Sequence, residues 1–366
     1  MPPVTPKWYE RPTLAAIGLA VGAATALTWS AIGPSSYLHV TQQAWFHVSL
    51  HDVAVNVLLT IFFLGIGIEI ARERRHGALR SRASASAPVV AALGGMAATA
   101  FLMVVAGVVS HTDTITKSWG VPMATDVALV VGAIALAGPR IPRELRLFLL
   151  ALAVVDDAGS LAVLTFTGAT HLRPVGLLCA SAVIAVLPWV RRRERAVLWS
   201  VALAGLWATF LWAGLEPALA GAVVGFAVHA TAAAVSVEQW CSRWSARVVL
   251  PLFALTACGL SWHALSAQSV PVATTIVVVR ILGKVIGISG VLWLIARTQR
   301  DSSHVFTSRQ MLGAGSLCAM GFTVPLLFAQ ADFGRTSATY GALTVGLLVA
   351  TVLGGALGLA LLWRRD

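Results

Sequence analysis

Long apolar runs, separated by short polar or basic segments, make up most of the chain. Twelve can be counted, at about 12–31, 49–73, 87–110, 117–138, 143–168, 174–190, 196–214, 216–230, 244–262, 271–296, 309–331 and 337–363. A helix needs roughly 17–20 residues to cross a bilayer. Most runs reach that length; 216–230 falls short, so it is either packed inside a bundle or ends further out. The runs are continuous rather than alternating in ten-residue strands, which argues against a membrane barrel. The pattern predicts an all-α polytopic membrane protein with twelve transmembrane helices. Residues 1–366 are expected to form a single transmembrane domain, with a core bundle at about 87–168 and 271–363 and the remaining helices as scaffold or interface.

Composition agrees. Of 366 residues, 58% are hydrophobic and only 11% charged, too little polar surface for a soluble domain. The net charge of +11 does not indicate nucleic-acid binding, because the basic residues fall between apolar runs rather than in one basic domain. Their distribution predicts topology. With both termini cytoplasmic, 21 of the 26 Lys and Arg fall on the inside, and only Lys117, Arg173 and Arg335 on the outside. That asymmetry is the positive-inside pattern. The first run lacks a cleavable signal pattern and is read as a span. Cys179, Cys241, Cys258 and Cys318 are scattered, without metal-ligand spacing or a disulfide framework.

Six ionisable residues remain within apolar runs: Glu69, Asp126, Asp156, Asp157, Arg280 and Lys284. Each costs ~2.5–3.5 kcal/mol to insert near the bilayer centre. Ion pairs that only hold helices together are a poor reason to keep them, since apolar packing does as well or better. An ion or proton path is the stronger reading. Asp156 and Asp157 are adjacent in LRLFLLALAVVDDAGSLAVLTFTG. They lie about 100° apart on a helix, so both can border one wide cavity. Asp126 follows Gly120, Pro122 and Thr125, where proline disfavours helix at Val121 and an interruption is expected. Gly313, Gly315, Gly321 and Pro325 mark a second interrupted run. The interrupted runs are the fourth and the eleventh. Runs 3–5 and 10–12 then read as inverted three-helix repeats, with the two broken helices crossing near the midplane, as in many secondary transporters.

Carboxylates with hydroxyl and backbone oxygens suit a hard monovalent cation, and no cluster calls for zinc or copper. Two close carboxylates disfavour double ionisation. Protons and a cation therefore compete for the same oxygens, and such competition with alternating access suffices for antiport. No GxxxxGK[ST] segment is present, and neither a cofactor nor an enzymatic reaction is expected. Lys284 is the natural counter-charge, as proton carrier or structural partner. Arg280, one turn earlier, can neutralise Asp126 or reach backbone carbonyls. Glu69 and Glu73, flanked by Arg72 and Arg74, form either a solvated interfacial network or a cation-attracting, pH-responsive funnel.

The stretches FFLGIGIEIARERRHGAL, VPMATDVALVVGAIALAGPRIPRELRLFLLALAVVDDAGS, ALAGAVVGF, LPLFAL, GKVIGIS and GSLCAMGFTVPLLFA resemble, in order, the NhaA-type sodium/proton antiporters. The inverted-repeat rule draws on that family among others, so the two arguments overlap. The resemblance implies a bacterial inner-membrane protein that exchanges cytoplasmic Na+ or Li+ for external H+ electrogenically, with a homodimer possible. By position, Asp156 and Asp157 look like the cation- and proton-binding pair that would hold Na+. Thr125 and Asp126 match the broken helix, and Lys284 matches the lysine paired with the first aspartate. Glu69 and Glu73 match acids tied to pH response. Asn56, Ser242, Glu216, Pro325 and Arg280 depart from the family pattern. An organic-anion/sodium symporter on a similar scaffold, or a non-transporting membrane scaffold or sensor, are the rival readings. The first would lack the DD-plus-lysine pattern.

Overall fold

The computed structural model describes residues 12–44, 48–76, 82–137, 141–168, 173–193, 195–215, 217–228, 232–259, 270–298, 306–334 and 337–363. Among these, helix is the regular secondary structure throughout. The chain begins with α1 (Pro12–Ile32) and α2 (Pro34–Gln42). A short turn, α3 (Leu50–Asp52), winds through a π-helical stretch (Val53–Leu58) into α4 (Leu59–His76). Then come α5 (Arg82–Val109), α6 (Asp113–Lys117), α7 (Val127–Ala137), α8 (Arg143–Gly168), α9 (Pro174–Arg193), α10 (Ala196–Ala213) and α11 (Ala218–Ala227). The remainder is α12 (Ala232–Trp244), α13 (Leu250–Ala257), α14 (Val270–Thr298), α15 (Ser308–Leu317), α16 (Thr323–Phe333) and α17 (Ala338–Trp363).

Seven of the described helical stretches are long and apolar enough to cross a membrane. Large apolar side chains such as Phe101, Phe166, Leu178 and Val201 point outward, an arrangement that suits lipid and not water. The protein is therefore a polytopic, all-helical membrane protein. Two elements differ from the apolar pattern. The run expected from 244 belongs to a helix that already begins at Ala232 and continues through a π-helical turn, Ser245–Val249, into α13. Its first half is amphipathic: Ala234, Glu238, Cys241 and Ser245 are buried at helical spacing, and the polar residues between them lowered the hydropathy. The short run 216–230 is the ten-residue α11, about 15 Å long at 1.5 Å per residue, too short to span by itself.

The helices gather into two compact units, one of residues 1–80 with 161–259, the other of 81–160 with 260–366. In the first, α11 lies directly on α4. A Cβ at Gly221 would fall on the Thr60 carbonyl, and one at Gly225 on that of Leu64. Small residues at such contacts let backbones approach where lipid gives no hydrophobic drive between helices. In the second, α5 and α14 meet in the same way, Gly287 resting on the Gly94 carbonyl. An apolar core of Val130, Ile134, Leu145, Leu149, Leu152, Ile288 and Leu317 ties α7, α8, α14 and α15 together. This packing fixes the interrupted segments of the second unit.

Candidate functional site

Two helical paths in the second unit break. After α6 comes one 3-10 turn, Ser118–Gly120, then a further turn at 121–123 and an irregular stretch to Asp126, and helix resumes at Val127. Val121 itself keeps helical angles, φ −58° and ψ −43°. The Met123 N–H donates to the Gly120 carbonyl at 3.2 Å, so the proline lies inside a turn instead of preventing one. The second path breaks between Leu317 and Thr323. Gly313 and Gly315 do not break it; they lie inside α15, where Gly315 lets α14 approach at Val285. Nor does Pro325 interrupt: it sits in the first turn of α16, where a missing N–H costs nothing.

The two breaks are bonded to one another. The Thr125 hydroxyl donates to the Cys318 carbonyl at 2.7 Å, and the Asp126 N–H to that of Met320 at 2.9 Å. The Asp126 carboxylate accepts from the Thr323 hydroxyl at 3.1 Å, and from the N–H groups of Thr323 and Leu129, both at 3.4 Å. One acid thus serves the N-termini of α7 and α16, where unpaired N–H groups and the helix dipole favour negative charge. Arg280 serves the opposite ends. Its guanidinium donates to the carbonyls of Ala319 at 2.7 Å, Val121 at 3.4 Å and, more closely, Ala124. Of the two roles open to Arg280, contact with backbone carbonyls is the one observed.

The aspartate pair sits mid-way along α8. Lys284 on α14 reaches Asp156 Oδ2 at 2.6 Å, both side chains wholly buried. Asp156 Oδ1 and both carboxylate oxygens of Asp157 are buried without a hydrogen-bond partner. The Val127 N–H faces Asp157 without closing a bond of good geometry, and the charges of Asp126, Asp156 and Lys284 all act on it. An ionised carboxylate without donors is costly in a dry interior. Asp157 needs a neutralising partner, a proton or a cation. Among the described residues, no three His, Cys, Asp or Glu side chains converge to hold a metal ion, so hydroxyl, backbone or water oxygens would complete any shell. Those are ligands for a hard, weakly held cation, not for a tightly caged transition metal.

Thr125, Asp126, Asp156, Asp157 and Lys284 therefore all lie in one unit, each buried. Glu69 belongs to the other unit, buried on α4. The side chain of Glu73, and Glu216 altogether, lie outside the described residues. Asn56 falls in the π-helical stretch, its carbonyl accepting from the Trp207 indole at 2.6 Å. Two residues escaped the sequence reading. Thr323 supplies donors to Asp126; its signal was a hydroxyl residue just after a glycine-marked break, a usual helix start. Glu238 pairs with Arg72 at 3.1 Å inside the first unit, hidden because α12 was not recognised as helix.

Comparison with known proteins follows the same lines. A family model described as Na+/H+ antiporter 1 matches residues 7–362. A protein named Na(+)/H(+) antiporter NhaA from Sodalis glossinidius is 34% identical over 333 residues, 86% of this chain and 82% of its own. One of the same name from Tolumonas auensis is 32% identical over 317 residues, covering 83% and 79%. Na(+)/H(+) antiporter NhaA 2 from Frankia alni is 34% identical over 371 residues, covering 94% and 75%.

Proposed function

We propose, for a chain that belongs to the Na+/H+ antiporter 1 family, that it is a sodium/proton antiporter working through Asp156 and Asp157. It exchanges cytoplasmic Na+ or Li+ for external H+ across a bacterial inner membrane. Its frame is twelve helices with inverted repeats and both termini cytoplasmic, a single transporter domain able to pair as a homodimer. The observation that carries this reading is the Asp157 carboxylate, buried without a hydrogen bond of good geometry next in sequence to the Asp156 of the Asp156–Lys284 pair.

When the pair is protonated, the site is neutral enough to stay closed. Loss of protons to the cytoplasm leaves carboxylate oxygens that attract sodium, with Asp126 and Thr125 bordering the site. Sodium weakens the hold of Lys284 on Asp156 by sharing its oxygens. A change of access carries the ion across, and external protons displace it. More than one proton exchanged for one monovalent cation moves net charge, which makes the cycle electrogenic. Everted membrane vesicles with a preformed pH gradient test this. Sodium or lithium should dissipate the gradient, faster when the membrane potential is clamped open to charge flow. No response to either ion at any pH would sink the reading.

A further inference from the structure

Arg280 is a full charge placed in the same unit as the aspartates, whose charges act on it, yet its guanidinium makes its hydrogen bonds to backbone carbonyls. Its guanidinium lies among three carbonyls from two interrupted segments: Val121 and Ala124 from one, Ala319 from the other. The side chain is wholly buried. Gly321 makes room for it, since a Cβ there would fall on the guanidinium and, at 2.8 Å, on the Ala124 carbonyl. Ala124 directly precedes Thr125 and Asp126. Ala319 directly follows Cys318, whose carbonyl holds the Thr125 hydroxyl.

We propose that Arg280 is a positioning residue for ion exchange: its planar fork, seated on three carbonyls, locks the two interrupted segments in the register that turns Thr125 and Asp126 towards the aspartate pair. Guanidinium suits this task better than ammonium. It presents donors in a fixed plane and stays charged, so it can satisfy carbonyls from two segments at once without itself exchanging protons. The carbonyls it occupies are also withheld from the transported cation, which leaves the carboxylates and hydroxyl as the ion's ligands. This role rests on the antiport reading above.

The test uses the full-length protein in everted vesicles, with sodium and lithium binding to purified protein measured in parallel by calorimetry. Arg280→Lys keeps the charge and loses the fork. It should insert at wild-type levels and bind sodium about tenfold more weakly, with KM raised to match and the maximal rate less affected. Gly321→Ala, which crowds the guanidinium from the other side, should produce the same split. The double variant should be no worse than the poorer single one, because both act on one contact. Wild-type KM and affinity in both single variants would overturn the proposal. So would multiplied effects in the double variant, or a loss confined to protein abundance. If the wild-type protein moves no protons in response to sodium, the antiport reading fails instead, and the calorimetric comparison still decides whether Arg280 positions a cation site.

Discussion

Each unit buries an acid–base pair between apolar helices, and the two pairs are built differently. In the first, Arg72 on α4 meets Glu238 on α12 at 3.1 Å, and the arginine keeps 15% of its side chain exposed. In the second, Lys284 meets Asp156 at 2.6 Å with neither side chain exposed at all, and the carboxylate of the next residue, Asp157, is buried without an ion pair or hydrogen bond of its own. The first pair is thus not fully enclosed. The second is wholly enclosed, and burying an ion pair rarely repays its desolvation. Stability by itself would delete Asp157 first. An acid in surplus of the pairing, kept where it is most expensive, is the one the proposed exchange would use. The acid at 238, matched by its arginine, marks a structural tie.

The sharpest way to break this contrast is to neutralise one acid in each unit. Asp157→Asn should abolish sodium-driven proton movement, a loss of about 100-fold or more, while the protein still inserts. Glu238→Gln should keep the exchange rate within about threefold, since it touches no atom of the site. Rates in everted vesicles, normalised to protein in the membrane, read both. The reverse ranking would assign the exchange to the wrong unit.

Next in size is the effect on stability. Asp156→Asn leaves Lys284 charged, buried and unpaired, and should cost about 3–5 kcal/mol. Replacing both, Asp156→Asn with Lys284→Gln, should return most of it. Glu238→Gln should cost less, because Arg72 keeps part of its side chain exposed. Thermal unfolding of purified protein orders the three. A double replacement no more stable than Asp156→Asn would mean that the pair does not set the energetics of the second unit.

What could be read from sequence follows from the solvent. Lipid requires unbroken apolar runs, so α8, α10, α14 and α17 stand close to their expected limits. It also makes a buried charge conspicuous, so Asp126, Asp156, Asp157 and Lys284 stand out in the sequence itself. The partners of those charges were not. Arg280 was recognisable as an anomaly, but its three carbonyls come from segments some 40 and 160 residues away, and backbone atoms leave no trace in composition. Pro122 and Pro325 marked the neighbourhood of each break without fixing its position. One lies inside a turn; the other sits in the first turn of the next helix. Glu238 was lost with α12, whose polar half broke the apolar pattern.

The backbone contacts of the two units offer a smaller test. Gly287→Ala would push α14 off the Gly94 carbonyl, and Gly67→Ala would push α4 off that of Ala222. Overpacking of this kind costs about 1–3 kcal/mol, so both should lower the unfolding temperature by similar amounts. Only Gly287→Ala should also weaken sodium binding, because Gly287 is three residues from Lys284 on the same helix. Equal losses of affinity would erase the functional difference between the units.

The smallest expected effect separates the units by pH. If protons and sodium share the Asp156–Asp157 oxygens, apparent KM for sodium falls as pH rises, by about tenfold per unit while one proton competes. The sign follows from mass action: each carboxylate freed of a proton becomes available to the cation. Glu238→Gln should leave that slope intact, because the acid it removes belongs to the Arg72 pair and not to the shared oxygens. Initial rates across a sodium series, at pH steps on both sides of neutrality, measure the slope in wild type and variant. A flat wild-type slope would exclude competition at one site. A slope lost only in Glu238→Gln would move control of pH response into the first unit, and leave Asp157 with the ion but not with the proton.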